Sequence, residues 1–231
     1  MRIRRSLVAL ACIALPIAAA APAAAYDVDA YVYAAGHMLQ SSDVPKSLVD
    51  AGQRMSFNAN TGRSKLDLCT PKEGPSVFIR GGDAYYSATF SNGTDGGNSL
   101  SETVITYKSA NAAIKAFNQA SKAVASCVGT QTGSWDDGNG GTYSYSSTTT
   151  TGKVPAVTVT GVESVFLNTN NVDGSSTSSS KDLRDAYLVM SLYNDAIIVT
   201  EYNRADDANV STKQRKKVNQ VAFDAITRWG A

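Results

Sequence analysis

The amino-acid sequence predicts an α+β fold, with a central antiparallel sheet and helices packed on it in a single layered domain. Segments of helical periodicity stand at the start, middle and end of the chain, and runs rich in Tyr, Thr, Val and Ile, broken by turn residues, fill the intervals. Strands nowhere alternate with helices in the way a doubly wound parallel sheet requires. With 43% hydrophobic and 18% charged residues over 231, the composition excludes a disordered chain, a coiled coil and a polytopic membrane protein.

Arg2, Arg4 and Arg5 precede an apolar stretch from Leu7 to Ala21 and the small residues Ala23 to Ala25, the pattern of a secretory signal peptide. Residues 1–25 are expected to be the leader, and residues 26–231 the exported domain. Pro16 and Pro22 interrupt a segment short for a hydrocarbon core of about 30 Å, so no stable membrane insertion is expected after cleavage. Cys12 lacks a lipobox, because Ala9 stands where Leu is preferred. Cleavage leaves Cys69 and Cys127 as an even pair in an oxidising compartment, which predicts a disulfide contributing about 4 kcal/mol.

The elements follow in order. Residues 27–51 read as helical through Val32, Ala35 and Leu39, with a second short helix opened by Pro45, capped by Ser42 or Asp43 and carrying Leu48 and Val49. Extended pieces are expected at 54–59 and 76–80. Tyr85–Ser91 and Leu100–Lys108 form a hairpin across the turn residues that begin at Asn92. Ser109 caps a helix whose apolar face is Ala113, Ile114, Phe117, Ala120 and Val124, and which delivers Cys127 at its end. Residues 131–152 read as a loop followed by a strand, with extended pieces at 155–160 and 162–167 and a low-complexity loop from Asn168 to Lys181.

Leu183–Tyr193 and Ala196–Asn203 then join through Asn194 and Asp195, a tight hairpin turn. If Tyr193 faces Ala196, then Leu188, Met190, Leu192, Ile197 and Val199 share a core face. The other face pairs Tyr187 with Tyr202, Val189 with Thr200 and Ser191 with Ile198, a mixed surface that lies under a helix or lines a cleft. An amphipathic helix with Val218, Val221, Ala222, Ala225, Ile226 and Trp229 closes the chain at Gly230.

Twenty-one basic residues against 20 acidic ones offer no surplus for nucleic acid, and Lys213, Arg215, Lys216 and Lys217 read as a solvated helix face. His37 is the only imidazole and no G-x-S-x-G elbow is present, so a nucleophile and base pair is not expected. Asp136, Asp137, Glu163 and Asp185 offer carboxylates for a paired-acid site but show no spacing signature. The acidic turns at 136–140 and 170–174 lack the ligand alternation of a calcium loop. No catalytic residue, metal or cofactor is therefore expected. Eleven tyrosines, all beyond residue 25, cluster at Tyr85 and Tyr86, Tyr143 and Tyr145, and Tyr187 and Tyr202. Such rings bind sugars, lipids or peptides, although strand propensity also accounts for them.

The arrangement resembles the PknH-like extracellular sensor domain family of mycobacteria and related actinobacteria. The resemblance rests on the helical segment closing at Leu39 to Pro45, Cys69 within Leu66 to Pro71, and the helix from Tyr107 through Phe117 toward Cys127. The hairpin Tyr187–Tyr202 and the C-terminal helix extend it over residues 27 to 231. It implies an antiparallel sheet with helices on it and a cleft for an extracellular ligand. The family's kinase sensor carries a second disulfide near its late strands, whereas this sequence has no cysteine after Cys127. No kinase portion is read in these 231 residues, so a signal is expected to need a partner.

The expected function is a secreted, non-enzymatic, sensor-like protein that binds an extracellular or cell-envelope ligand in a cleft. Trp135, Tyr143, Tyr145, Tyr187 and Tyr202 are the candidate ligand contacts. The alternatives are an envelope protein or cell-wall interaction without a small-molecule site, and then a carboxylate-dependent hydrolase.

Overall fold

In the computed structural model the described residues are 28–49, 54–61, 65–69, 75–92, 97–136, 141–154, 163–175, 181–204 and 209–230. The turn at Asn194 and Asp195 sets the centre of the fold. Asn194 takes a positive φ of 50°, the left-handed conformation that a two-residue hairpin turn demands and that Asn tolerates. It joins β9 (Lys181–Tyr193) to β10 (Ala196–Arg204) with Tyr193 opposite Ala196 and Tyr187 opposite Tyr202, the register expected from the turn.

The remaining strands are β1 (Arg54–Thr61), β2 (Lys65–Cys69), β3 (Val77–Arg80), β4 (Ala84–Ser91), β5 (Ser99–Thr106), β6 (Gly129–Asp136), β7 (Thr142–Lys153) and β8 (Glu163–Ser175). Eight of the strands form one antiparallel sheet in the order β1-β4-β5-β10-β9-β8-β7-β6, and β2 and β3 pair separately. The helices are α1 (Val28–His37), α2 (Ala110–Ala123) and α3 (Thr212–Trp229). The α+β reading holds.

Period-two alternation along β9 and β10 splits the interior into two cores. Tyr187, Val189, Ile198 and Tyr202 pack beneath α3 together with Ala34, Met38 and Leu39 from the N-terminal segment. Leu188, Met190, Ile197 and Val199 pack against α2 and the β2–β3 pair. The second core holds the Cys69–Cys127 disulfide, with its Cα atoms 6.3 Å apart. That bond ties β2 to the 3-10 turn Val124–Cys127, which extends α2.

Both long helices start where a hydroxyl can receive an unpaired backbone N–H. Ser109 accepts from the Ala112 N–H, and Ser211 accepts from the Gln214 N–H while the Gln214 side chain accepts from the Ser211 N–H. On α2 the buried stripe is Ala113, Phe117, Ala120 and Val124. Ile114, expected on that face, sits one residue round the helix and is exposed.

Several boundaries differ from expectation. The segment after Pro45 makes one turn, with the Leu48 and Val49 N–H groups both donating to the Pro45 carbonyl, and a 3-10 turn at Ser41–Asp43 precedes it. Asp43 accepts from the Gln40 N–H, so it serves that earlier turn and not a helix after Pro45. Residues 131–136, expected as the loop part of 131–152, belong to β6, because full pairing with β7 satisfies their backbone despite weak strand propensity. Residues 168–175, also expected as loop, continue β8, held between β7 and β9 and by a 3.1 Å contact between the Thr149 and Thr169 hydroxyls. The leader (1–25), the extended piece at 155–160 and positions 176–180 lie outside the described residues.

Candidate functional site

An aromatic pocket of about 440 Å³ opens where α1, the end of α3 and the β9–β10 turn meet. Tyr33, Tyr86, Tyr193 and Trp229 supply its rings, and Thr106, Asn194 and Asp195 supply its polar groups. Each comes from an element fixed by the core. Tyr86 lies on the sheet face beneath α3, and Thr106 ends the neighbouring strand. Trp229 follows the apolar stripe of α3 to its last residue, and the hairpin turn carries Asn194 and Asp195 to the rim.

The rings are held in place. The Tyr33 hydroxyl donates to the Trp229 carbonyl at 3.3 Å, and the Tyr33 ring stacks on His37 with centroids 3.9 Å apart. Trp229 meets Tyr33 at 74° and Tyr86 at 44°, with centroids 5.7 and 6.0 Å away. Tyr193 lies across the backbone of Gly230, where a Cβ would overlap its ring. Only glycine at 230 allows this approach.

Behind the pocket lies a charged clamp. Glu102, 1% exposed on β5, accepts from the Leu39 N–H at 3.2 Å and from Arg228 at 2.5 Å. Arg228 also approaches Asp43 at 3.4 Å. The clamp fastens the segment after α1 to both the sheet and α3, and so fixes the helix that presents Tyr33. Burial pushes the Glu102 carboxyl up to about 7, with Arg228 opposing the rise.

Of the five residues expected to contact ligand, Tyr145, Tyr187 and Tyr202 lie apart from the pocket. Tyr187 and Tyr202 are 3% and 0% exposed beneath α3, so the mixed face of the hairpin lies under a helix and lines no cleft. Tyr187 donates to Asn219 on α3 at 2.9 Å and stacks on Phe166, while Gln214 donates to the Tyr202 hydroxyl at 3.3 Å. Tyr145 belongs to β7, two strands beyond β9, and packs over Gly133, filling the surface that a glycine in a strand leaves bare. Trp135 and Tyr143 pair through their backbones at the end of the same ladder, and their side chains lie outside the described ones. Tyr145, Tyr187 and Tyr202 do not line the pocket.

Sequence reasoning placed Tyr86 in a tyrosine cluster and Trp229 on a core stripe, but singled out neither Tyr33 nor Tyr193. The usable signal was Tyr193 beside the Asn194–Asp195 turn, since a turn residue reaches the end of the sheet.

Of the carboxylates considered for acid chemistry, Asp136 and Asp185 stand on separate strands. Asp185 is buried and accepts from the Val210 N–H at 2.8 Å, with its carboxyl raised chiefly by burial. Asp136 lies on the edge strand β6. Asp137 and the Glu163 side chain lie outside what is described. Among the described residues no group of His, Cys, Asp or Glu is arranged to hold a metal. No helix among them is long and apolar enough to cross a membrane.

No curated protein matches the chain. The fold is similar to the crystal structure of the extracellular domain of PknH from Mycobacterium tuberculosis. That match has a TM-score of 0.53 and 12% identity, covering 85% of this chain and 94% of that one. The family model of the PknH-like extracellular domain matches residues 79–189, a span that holds Tyr86 and Thr106 but not Tyr33, Tyr193, Asn194, Asp195 or Trp229. Residues 79–189 are thus similar to the PknH-like extracellular domain, and the fold resembles that of such a domain beyond them.

Proposed function

We propose that this protein is an exported, non-catalytic sensor-type domain that takes an extracellular or cell-envelope ligand in the aromatic pocket. The carrying observation is the convergence of four rings from four separate elements on one concavity with a polar rim. Ligand sites are typically concave, with aromatic walls and a few polar groups that orient the ligand. The N-terminal pattern of residues 1–25 and the extracellular family support export. Asp185 and Glu102 are each engaged by backbone N–H groups within the core, an arrangement that serves the fold and not bond cleavage.

Native mass spectrometry of the protein recovered from its host's culture medium tests the reading. A bound mass that disappears on denaturation, and is absent from Tyr33→Ala, is expected. A bare protein, or an adduct that Tyr33→Ala retains in full, overturns it.

A second reading draws on α1, where Val32 and Tyr33 are 63% and 48% exposed beside the pocket mouth. An envelope protein could cover this helix and insert a side chain into the pocket. A heterologous complex in the same spectrum would favour it.

A further inference from the structure

We propose that the aromatic pocket selects a ligand carrying an organic cation, a quaternary or alkylated ammonium group. This deepens the reading that the pocket is the ligand site and rests on it. Three independent features agree.

The first is the arrangement of the rings. Trp229 stands at 74° to Tyr33 and 44° to Tyr86, so the rings form walls at steep mutual angles. A sugar needs a flat platform on which to stack. Several rings set at angles to one another suit a compact cation better than a flat sugar, since ring faces attract a cation together.

The second is charge. Among the described residues, Asp195 is the only acidic one lining the pocket, and no Lys, Arg or His lines it. The nearest arginine in sequence, Arg228, is engaged by Glu102 and Asp43. An anionic ligand would meet a carboxylate with no countercharge from the lining.

The third is the end of α3. This helix runs for 18 residues and terminates at Trp229, which lines the pocket and whose carbonyl accepts from the Tyr33 hydroxyl. The C-terminal end of a helix carries partial negative charge that favours a cation within the last turn. The volume of about 440 Å³ leaves room for a substituent beyond the ammonium head, with Thr106 and Asn194 available to its polar atoms.

The test uses the two tryptophans of the chain, Trp135 and Trp229. Trp135→Phe leaves Trp229 emission as a reporter from the pocket wall. Choline is titrated beside its neutral isostere 3,3-dimethylbutan-1-ol, which has the same shape without the charge. Saturable choline binding at least tenfold tighter than the alcohol is expected, with Asp195→Asn weakening choline severalfold and leaving the alcohol unchanged.

Equal affinity for both probes overturns the cation inference and leaves the pocket as a binding site for an uncharged group. Response to neither also overturns it. The wider reading is then judged separately by whether Tyr33→Ala removes the mass bound from the culture medium.

Discussion

Arg228, one residue before the pocket wall, reaches across to the buried carboxyl of Glu102 in the middle of the sheet at 2.5 Å. The pair links the end of the last helix to a strand 126 residues earlier, and through Leu39 and Asp43 it holds the N-terminal segment as well. It also makes stability depend on pH. Glu102 is raised from 4.5 to about 7 in the folded protein, so the folded state holds its proton through a range where the unfolded chain has lost it. Its contribution is fully present below 4.5 and is lost as pH rises through 7, a change of about 3 kcal/mol. Denaturant midpoints measured from pH 4.5 to 8 should fall, and Glu102→Gln should flatten much of that slope. Asp185 and Glu201, both raised by burial, supply the remainder in the same direction.

Gly230→Ala should disturb the pocket more than the fold. The added methyl meets the Tyr193 ring, which must swing aside. Loss of stability of about 1 kcal/mol is expected, together with a shift in Trp229 emission. In a Tyr193→Ala background the same substitution should cost little, a coupling that a double-mutant cycle reads directly. Gly36→Ala is the contrast. Nothing lies within 4 Å of its Cβ position on α1, so it should stabilise by about 0.5 kcal/mol or more.

Removing the disulfide with Cys69→Ser and Cys127→Ser together should lower stability by about 3 to 4 kcal/mol in chemical denaturation. The bond sits in the core with α2, away from the pocket. Trp229 emission and probe binding in the folded fraction should therefore stay at wild-type values. A change in either would show that the two cores communicate.

Tyr187→Phe removes the hydroxyl that donates to Asn219 and leaves that amide oxygen without this partner. A loss of about 1 kcal/mol is expected with no change in ligand binding. Tyr187→Ala empties a ring-sized volume beneath α3 and should cost about 3 to 5 kcal/mol. A Tyr187→Phe variant of unchanged stability with weakened binding would return this residue to the ligand site.

The fold was legible where local chemistry and tertiary packing agree. The Asn194–Asp195 turn fixed the register of β9 and β10, and Ser109 and Ser211 stand where both long helices begin. The outer strands were less legible. Gly129–Asp136 and Asn168–Ser175 carry Gly, Ser, Thr and Asn, residues that read as loop until a neighbouring strand accepts their backbone hydrogen bonds. The covered faces were less legible for a related reason. Tyr187 and Tyr202 looked available because the hairpin shows its own two faces and not the helix that covers one of them. Tyr33 and Trp229 meet across 196 residues of sequence, a distance that no local pattern spans.

The sheet is also a partition. Fully buried residues that feed both cores come mainly from β5, β9 and β10, whereas the pocket and the disulfide lie on opposite sides. Substitutions around the pocket therefore need compensation only from their own side, and the stapled side can hold the architecture while the other drifts. Such a chain can change what it recognises over evolutionary time without renegotiating how it folds.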